Sequence, residues 1–165
     1  MITQKVKLVV MKLFLSKYLF KIDKKGRVSL PSSYRSVISE KNKVELILFK
    51  SFKYQSIEGC GYKRIENISK RIDRLDIFSD DQDDFTTSIF SELRSINLDS
   101  EGRFIIPDDL REYANITNEA TFVGQGHSFQ IWNPKLATER QKKSRKRLIE
   151  NKKTLKSIII EGSNE

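Results

Sequence analysis

The sequence predicts an α+β protein made of two tandem copies of one small β-rich unit, with flanking helices and a basic C-terminal helix. Three observations predict it. First, "IDKKGRVSLPSSYR" at residues 22–35 returns as "LDSEGRFIIPDDLR" at residues 98–111, so that Asp23, Gly26, Arg27, Pro31 and Arg35 recur as Asp99, Gly102, Arg103, Pro107 and Arg111. Second, short segments of alternating polarity flank both stretches, the period of half-buried strands. Third, the repeat distance from Asp23 to Asp99, 76 residues, is too long for a solenoid and suits two copies of one unit within 165 residues.

Residues 1–10 are expected to be a weakly constrained extension ahead of Met11. The first unit, residues 11–78, opens with "KLFLSKYLFKI", turns at D-x-x-G-R and enters the short strand "RVSL". Pro31 follows, and because its fixed φ suits the first turn of a helix, "PSSYRSVIS" is predicted to be helical. A strand pair, "KVELILFK" with "YQSIEG", and a helix over "YKRIENISKRIDRL" complete the unit, with Ile65, Ile68, Ile72 and Leu75 on one helical face.

The halves are expected to join near residues 79–84. There the acidic run Asp80, Asp81, Asp83 and Asp84 fits a helix N-terminus, where carboxylates offset the dipole. It lacks the glycine and terminal glutamate of a calcium loop. The second unit, residues 79–142, begins with a helix carrying Phe85, Ile89, Phe90 and Leu93 on one face, then "LRSINL", the second turn and "RFII". Pro107 opens the helix "PDDLREYA", and the strands "EATFVGQ" and "SFQIW" follow. Both apolar helix stripes read as core-packing faces. From Pro134 the chain is helical in pattern but strongly basic, so residues 143–165 are expected to be a basic tail that leaves the body of the protein after its first turns, with residues 161–165 disordered.

A hydrophobic content of 38% with ten phenylalanines can fill a modest core. The single cysteine, Cys60, excludes an internal disulfide framework and a multi-cysteine zinc site, suggests a reducing compartment, and is expected to be a small buried hydrophobe. No apolar run approaches the roughly 20 residues that cross a bilayer, and the opening residues lack a secretory cleavage site. The net charge of +9 is unevenly spread: residues 1–35 hold nine Lys/Arg against one acid, residues 135–165 ten against four, and the middle twelve against seventeen. Cations concentrated at the two ends point to a polyanion, nucleic acid ahead of a membrane surface, with a merely solubilising role as the alternative.

The repeated turn carries the chemistry. Gly26 and Gly102 permit positive φ, and Asp23 and Asp99 can bond forward to the backbone as Asx turns. The next side chain, Arg27 or Arg103, is then presented from the start of a strand. Its planar fork suits phosphate oxygens and the guanine O6/N7 edge, where a bidentate contact gives about 1–3 kcal/mol of discrimination. Lys24 and Lys25 beside the first turn are placed to neutralise phosphates without sequence preference. The alternative is that aspartate and arginine simply brace the turn, which is the favoured reading for the aspartates. Ser100 and Glu101 replace the lysine pair in the second copy, so the first half should supply more of the electrostatic attraction. Arg35 and Arg111 either extend the basic surface or pair with carboxylates beside the core.

These residues resemble the MraZ family of bacterial transcription regulators, whose chains carry two AbrB-type (SpoVT-AbrB) modules. "FLSKYLFKIDKKGRVSLPSSYR", "SIEGCGYKRI", "INLDSEGRFIIPDDLREYANI" and "VGQGHSFQIWNPKLA" agree with the family in order and spacing. The resemblance implies two swapped-hairpin β modules forming a pseudo-twofold barrel. It implies binding of double-stranded promoter DNA at direct repeats upstream of the division and cell-wall gene cluster, usually as a repressor, by a homo-oligomeric ring. Carried over by position, Arg27 is the expected DNA contact, with Arg103 its counterpart and Lys24 and Lys25 as helpers; Arg35 is a further DNA-contact candidate from its place after the first turn. A cytoplasmic, nucleoid-associated protein is implied, with no membrane, cofactor, metal or small-molecule substrate involved. The residues before Met11, the tail after Arg140 and Glu101 depart from the family pattern.

An enzyme is disfavoured. The one histidine, His127, lies in "GQGHSF" between two predicted strands, with no nucleophile or carboxylate pair identifiable near it, and "GQG" lacks the third glycine of a dinucleotide fingerprint. No aromatic stacking motif of the common RNA-binding modules is present. The remaining rival is a non-enzymatic oligomeric scaffold with only nonspecific nucleic-acid binding.

Overall fold

In the first strand, Tyr18 and Phe20 turn inward while Lys17, Leu19 and Lys21 face out, the alternation that a sheet with one covered face imposes. The computed structural model describes residues 12–40 and 43–152. The expected extension over residues 1–10 and the expected disorder over residues 161–165 lie outside them. The first half contains β1 (Lys17–Lys21), β2 (Arg27–Ser29), α1 (Ser32–Ile38), β3 (Ser39–Glu40), β4 (Lys43–Val44), β5 (Leu46–Lys50), β6 (Ile57–Gly61) and α2 (Tyr62–Ile72). The second contains α3 (Asp80–Phe90), β7 (Arg94–Ile96), β8 (Arg103–Ile105), α4 (Asp108–Tyr113), β9 (Glu119–Gly124), β10 (Phe129–Trp132) and α5 (Pro134–Glu150). The α+β class holds, with every strand pair antiparallel.

Neither half makes the main sheet alone. The main sheet runs β1-β9-β10-β6-β5-β7, so β1 of the first half is an edge beside β9 of the second, and β7 of the second is an edge beside β5 of the first. Exchanging each strand for its counterpart in the other half returns the same order read backwards. A separate ribbon pairs β2 with β8, and β3 pairs with β4. Among the described residues these ladders stay separate, and none closes into a barrel.

The core lies between the main sheet and the β2/β8 ribbon. Phe14, Val28, Leu30, Tyr34, Phe104, Ile106, Leu110, Phe122 and Phe129 are buried together there. Its aromatic rings meet edge-on or tilted: Phe14 lies 5.2 Å from Tyr34 and 5.1 Å from Phe129, and Phe122 lies 6.0 Å from Phe129. Such geometry suits the quadrupoles of the rings and fixes their mutual orientation. The Tyr34 hydroxyl is satisfied by donating to the Ser16 carbonyl at 2.9 Å.

Several expectations shift in detail. Pro31 and Pro107 each stand one residue ahead of their helix, with φ near −50° and extended ψ, rather than inside the first turn. Their carbonyls accept the first helical bonds, from Tyr34 and Arg35 and from Leu110 and Arg111. Ile65 of α2 is buried against Ile47, Phe49 and Cys60 on the opposite side of the sheet, with Ile68 packed beside it, and Ile72 is buried too, but Leu75 falls beyond the helix and is exposed. Burial there pushes the Cys60 thiol up to about 12. The stripe on α3 is only half a packing face: Phe90 and Leu93 join this second cluster, whereas Phe85 is 51% exposed. The acidic run does open α3, whose N-cap Ser79 accepts from Gln82 N–H at 3.2 Å. Asn133 caps α5 in the same manner, and Arg140 lies over the Tyr54 ring at 4.4 Å while donating to its hydroxyl at 2.7 Å. The helix then continues unbroken through Lys142 and Lys143 with exposed basic side chains.

Phe122 is fully buried and touches both Phe104 of the ribbon and Phe129 of the sheet. Phe122→Ala is expected to lower stability by about 3–5 kcal/mol, read from the midpoint of chemical unfolding, because the surrounding rings cannot collapse into the space.

Candidate nucleic-acid interface

The two repeated turns fold alike because each aspartate satisfies its own loop. Asp23 Oδ1 accepts from the backbone N–H of Lys25 and of Arg27, both at 2.9 Å, and Gly26 N–H donates to the Asp23 carbonyl at 3.0 Å. Asp99 repeats this with Glu101 and Arg103 at 2.9 Å, and Gly102 N–H donates to its carbonyl at 3.0 Å. Gly26 at φ +80° and Gly102 at φ +74° occupy the left-handed region this closure requires. The second carboxylate oxygen of each aspartate accepts from the arginine Nε, at 2.7 Å in the first turn and 2.9 Å in the second. Both aspartates therefore brace the turn, as the sequence favours.

These bonds also set the aspartates' acidity. The backbone N–H of Arg27 above all, with its guanidinium and the N–H of Lys25, holds the Asp23 carboxyl below the usual range despite some desolvation. Arg103 and Glu101 do the same for Asp99. Asp99 and Glu101 in turn hold the Arg103 guanidinium more firmly in its charged form, the Asp99 hydrogen bond leading.

The ribbon then decides where the arginines point. Arg27 pairs with Ile105, Val28 with Phe104, and Ser29 with Arg103. Because side chains alternate along a strand, buried Val28 and Phe104 face the core, and Arg27, Ser29, Arg103 and Ile105 share the outer face. Two residues along and one strand across, the arginine Cα atoms stand roughly 8 Å apart. Each arginine side chain is 30% exposed, and Ile105 is 57% exposed. Lys24 and Lys25 stand exposed on the first turn, and among the described residues neither takes part in an ion pair.

The copies differ at the arginine tips. With Nε held by Asp23, the two terminal nitrogens of Arg27 make no hydrogen bond or ion pair among the described residues. They form a positioned end-on fork. Arg103 is engaged twice, since its Nη2 also meets Glu101 Oε2 at 2.5 Å. Arg35 reaches across the halves and packs over Gly102, so closely that a Cβ there would collide with its guanidinium; its Nη1 donates to the Glu101 carbonyl at 3.5 Å. Arg111 donates instead from Nε to the Ile116 carbonyl at 3.1 Å and from Nη2 to the Thr117 carbonyl. Neither finds a carboxylate partner among the described residues; both bond backbone carbonyls.

Sequence reading alone misses Ser29 and Ile105 as neighbours of the arginines. The available signal is the matched position of Val28 and Phe104, each apolar between outward-facing residues. His127 is exposed in the connection from β9 to β10, and no cluster of three or more metal-ligating side chains occurs among the described residues. No helix among them is long and apolar enough to cross a membrane.

The aspartate bonds favour the ionised form, so their stabilisation is present at neutral pH and is lost as the pH falls through the lowered folded values. Asp23→Ala and Asp99→Ala are each expected to lower the melting temperature at neutral pH. In melting curves taken across acidic pH, the gap to the unaltered protein should narrow as its own carboxyls become protonated.

Comparison with known proteins places this chain in a family. A family model described as "MraZ protein, putative antitoxin-like" matches residues 89–156. The chain is 45% identical over 144 residues to the transcriptional regulator MraZ of Pelagibacter ubique (strain HTCC1062), covering 87% of this chain and 93% of that protein. It is 42% identical over 124 residues to the protein of that name in Rickettsia canadensis (strain McKiel), covering 75% and 83%. With the one in Rickettsia akari (strain Hartford) it shares 38% identity over 147 residues, covering 89% and 99%. These relatives bear the name of a regulator, not of an enzyme. With the repeated aspartate-braced turns and similarity of this extent, the chain belongs to the MraZ family.

Proposed function

We propose that this protein is a sequence-specific transcriptional regulator that binds double-stranded promoter DNA through the first turn and the outer face of the β2/β8 ribbon. The observation that carries this reading is the end-on fork of Arg27, fixed by Asp23 and flanked by two exposed lysines. A two-stranded ribbon fits the major groove, where such a fork can engage the O6/N7 edge of guanine while neighbouring lysines neutralise phosphate. Arg103 lies on the same outer face at the matching position of the second strand, and Arg35 packs over the second turn. The names of the relatives favour the same class of activity.

The finer proposal is two SpoVT-AbrB modules, residues 11–78 and 79–142, interleaved as swapped hairpins, followed by a basic tail from residue 143. The strand order that is unchanged by exchanging halves supports it. The regulator acts in the cytoplasm, associated with the nucleoid, as a repressor at direct repeats upstream of the division and cell-wall gene cluster. We further propose that it works as a homo-oligomeric ring. Support comes from apolar side chains left uncovered between α2 and α3: Ile77 is 68% exposed and Phe78 89%, with Phe85 nearby on α3. Neighbouring apolar side chains exposed together can mark a protein contact. Several ribbons held on one particle would add avidity through effective concentration.

The direct test is binding, by fluorescence anisotropy, to a labelled duplex from immediately upstream of the protein's own coding sequence. Arg27→Ala is expected to weaken specific binding by about five- to a hundredfold, the worth of one bidentate base contact, with particle size in light scattering unchanged. Equal affinity of that variant for this duplex would refute the assignment. Phe78→Asp is expected to reduce particle size in light scattering and to weaken DNA binding only through lost avidity; an unchanged size would remove this surface from the assembly.

A further inference from the structure

The two turns make the same backbone bonds, so their difference lies in the side chains they carry. Lys25 and Glu101 occupy matching positions, and each gives its N–H to the aspartate at 2.9 Å. The backbone role is filled equally by either residue, which leaves the side chain unconstrained by the turn. The first turn holds Lys24, Lys25 and Arg27 against Asp23, whereas the second holds Arg103 against Asp99 and Glu101. With Arg35 packed over Gly102, the second turn balances two cations against two carboxylates, while the first keeps an excess of positive charge.

The geometry points to Glu101 as a built-in restraint on DNA affinity: by engaging Arg103 and cancelling the excess positive charge of its turn, it keeps the second arginine out of DNA contact, so that the first turn alone reads the duplex. The inference rests on the DNA-contact reading above and deepens it. Arg103 lies on the same outer face as Arg27, at the matching place on the neighbouring strand, with a side chain equally exposed. What sets it apart is the contact of its Nη2 with Glu101 Oε2, which has no equivalent in the first turn. The Glu101 side chain is 63% exposed, so water screens the pair and its strength alone is modest. Opening it, however, would leave the Glu101 carboxylate facing phosphate oxygens. An arginine can fulfil a phosphate or base contact only when its neighbours do not reverse the local field.

A double-mutant cycle separates this from a general change in charge. Binding to the upstream duplex is measured at several salt concentrations for the unaltered protein, Glu101→Gln, Arg103→Ala and the double variant, with Arg27→Ala alongside. Glu101→Gln keeps the size of the side chain and its exposed place, and it should tighten binding about tenfold near 0.1 M salt with the slope of log K against log salt steeper by about one unit, the mark of one added phosphate contact. That gain should vanish when Arg103→Ala is added, and Arg103→Ala alone should cost less than about twofold, far less than Arg27→Ala. Two outcomes overturn the inference by itself: a gain from Glu101→Gln that survives Arg103→Ala, or an Arg103→Ala loss as large as that of Arg27→Ala. An Arg27→Ala protein that binds like the unaltered one instead brings down the DNA-contact reading, and this inference with it.

Discussion

The pairing of Val28 with Phe104 at the centre of the β2/β8 ribbon is the contact on which the rest depends. Each is nearly inaccessible to water and each comes from a different half of the chain. Burying side chains of this size contributes about 1.5–3 kcal/mol apiece. Its geometric effect matters more. Because alternation along a strand is strict, fixing these two residues inward forces Arg27 and Arg103 outward, and a slip of one residue would exchange the faces. The placement of the charged surface is thus a consequence of core packing.

The turns convert that placement into rigidity. An arginine at the start of a free loop would lose much side-chain entropy on docking. Here the aspartate holds Nε, the glycine allows the loop to close, and the strand begins at the arginine itself. The same carboxylate that reduces the net charge of the site orients its guanidinium, and the flanking lysines of the first turn restore the balance toward phosphate attraction.

What could be read in the sequence follows how far each interaction reaches. The turns were legible in full because Asp, Gly and Arg interact within five residues, and the helices after the prolines were legible to within one residue. Proline stands ahead of the helix because its carbonyl, not its ring nitrogen, takes part in the first helical bonds. The β2/β8 pairing was not legible, since it joins strands from opposite halves and no local signal names a partner. The stripe on α3 misled at Phe85 because periodicity reports an apolar face without saying what covers it. The contact of Glu101 with Arg103 was visible only as a changed residue; its effect on the guanidinium required coordinates.

Antiparallel pairing sets the two turns at opposite ends of one short ribbon, and the residues there give those ends unequal charge. A twofold scaffold with identical ends would fit a duplex equally well in either sense and would favour palindromic half-sites. This ribbon has a head and a tail. In the duplex groove proposed for it, such a ribbon would distinguish one strand direction from the other.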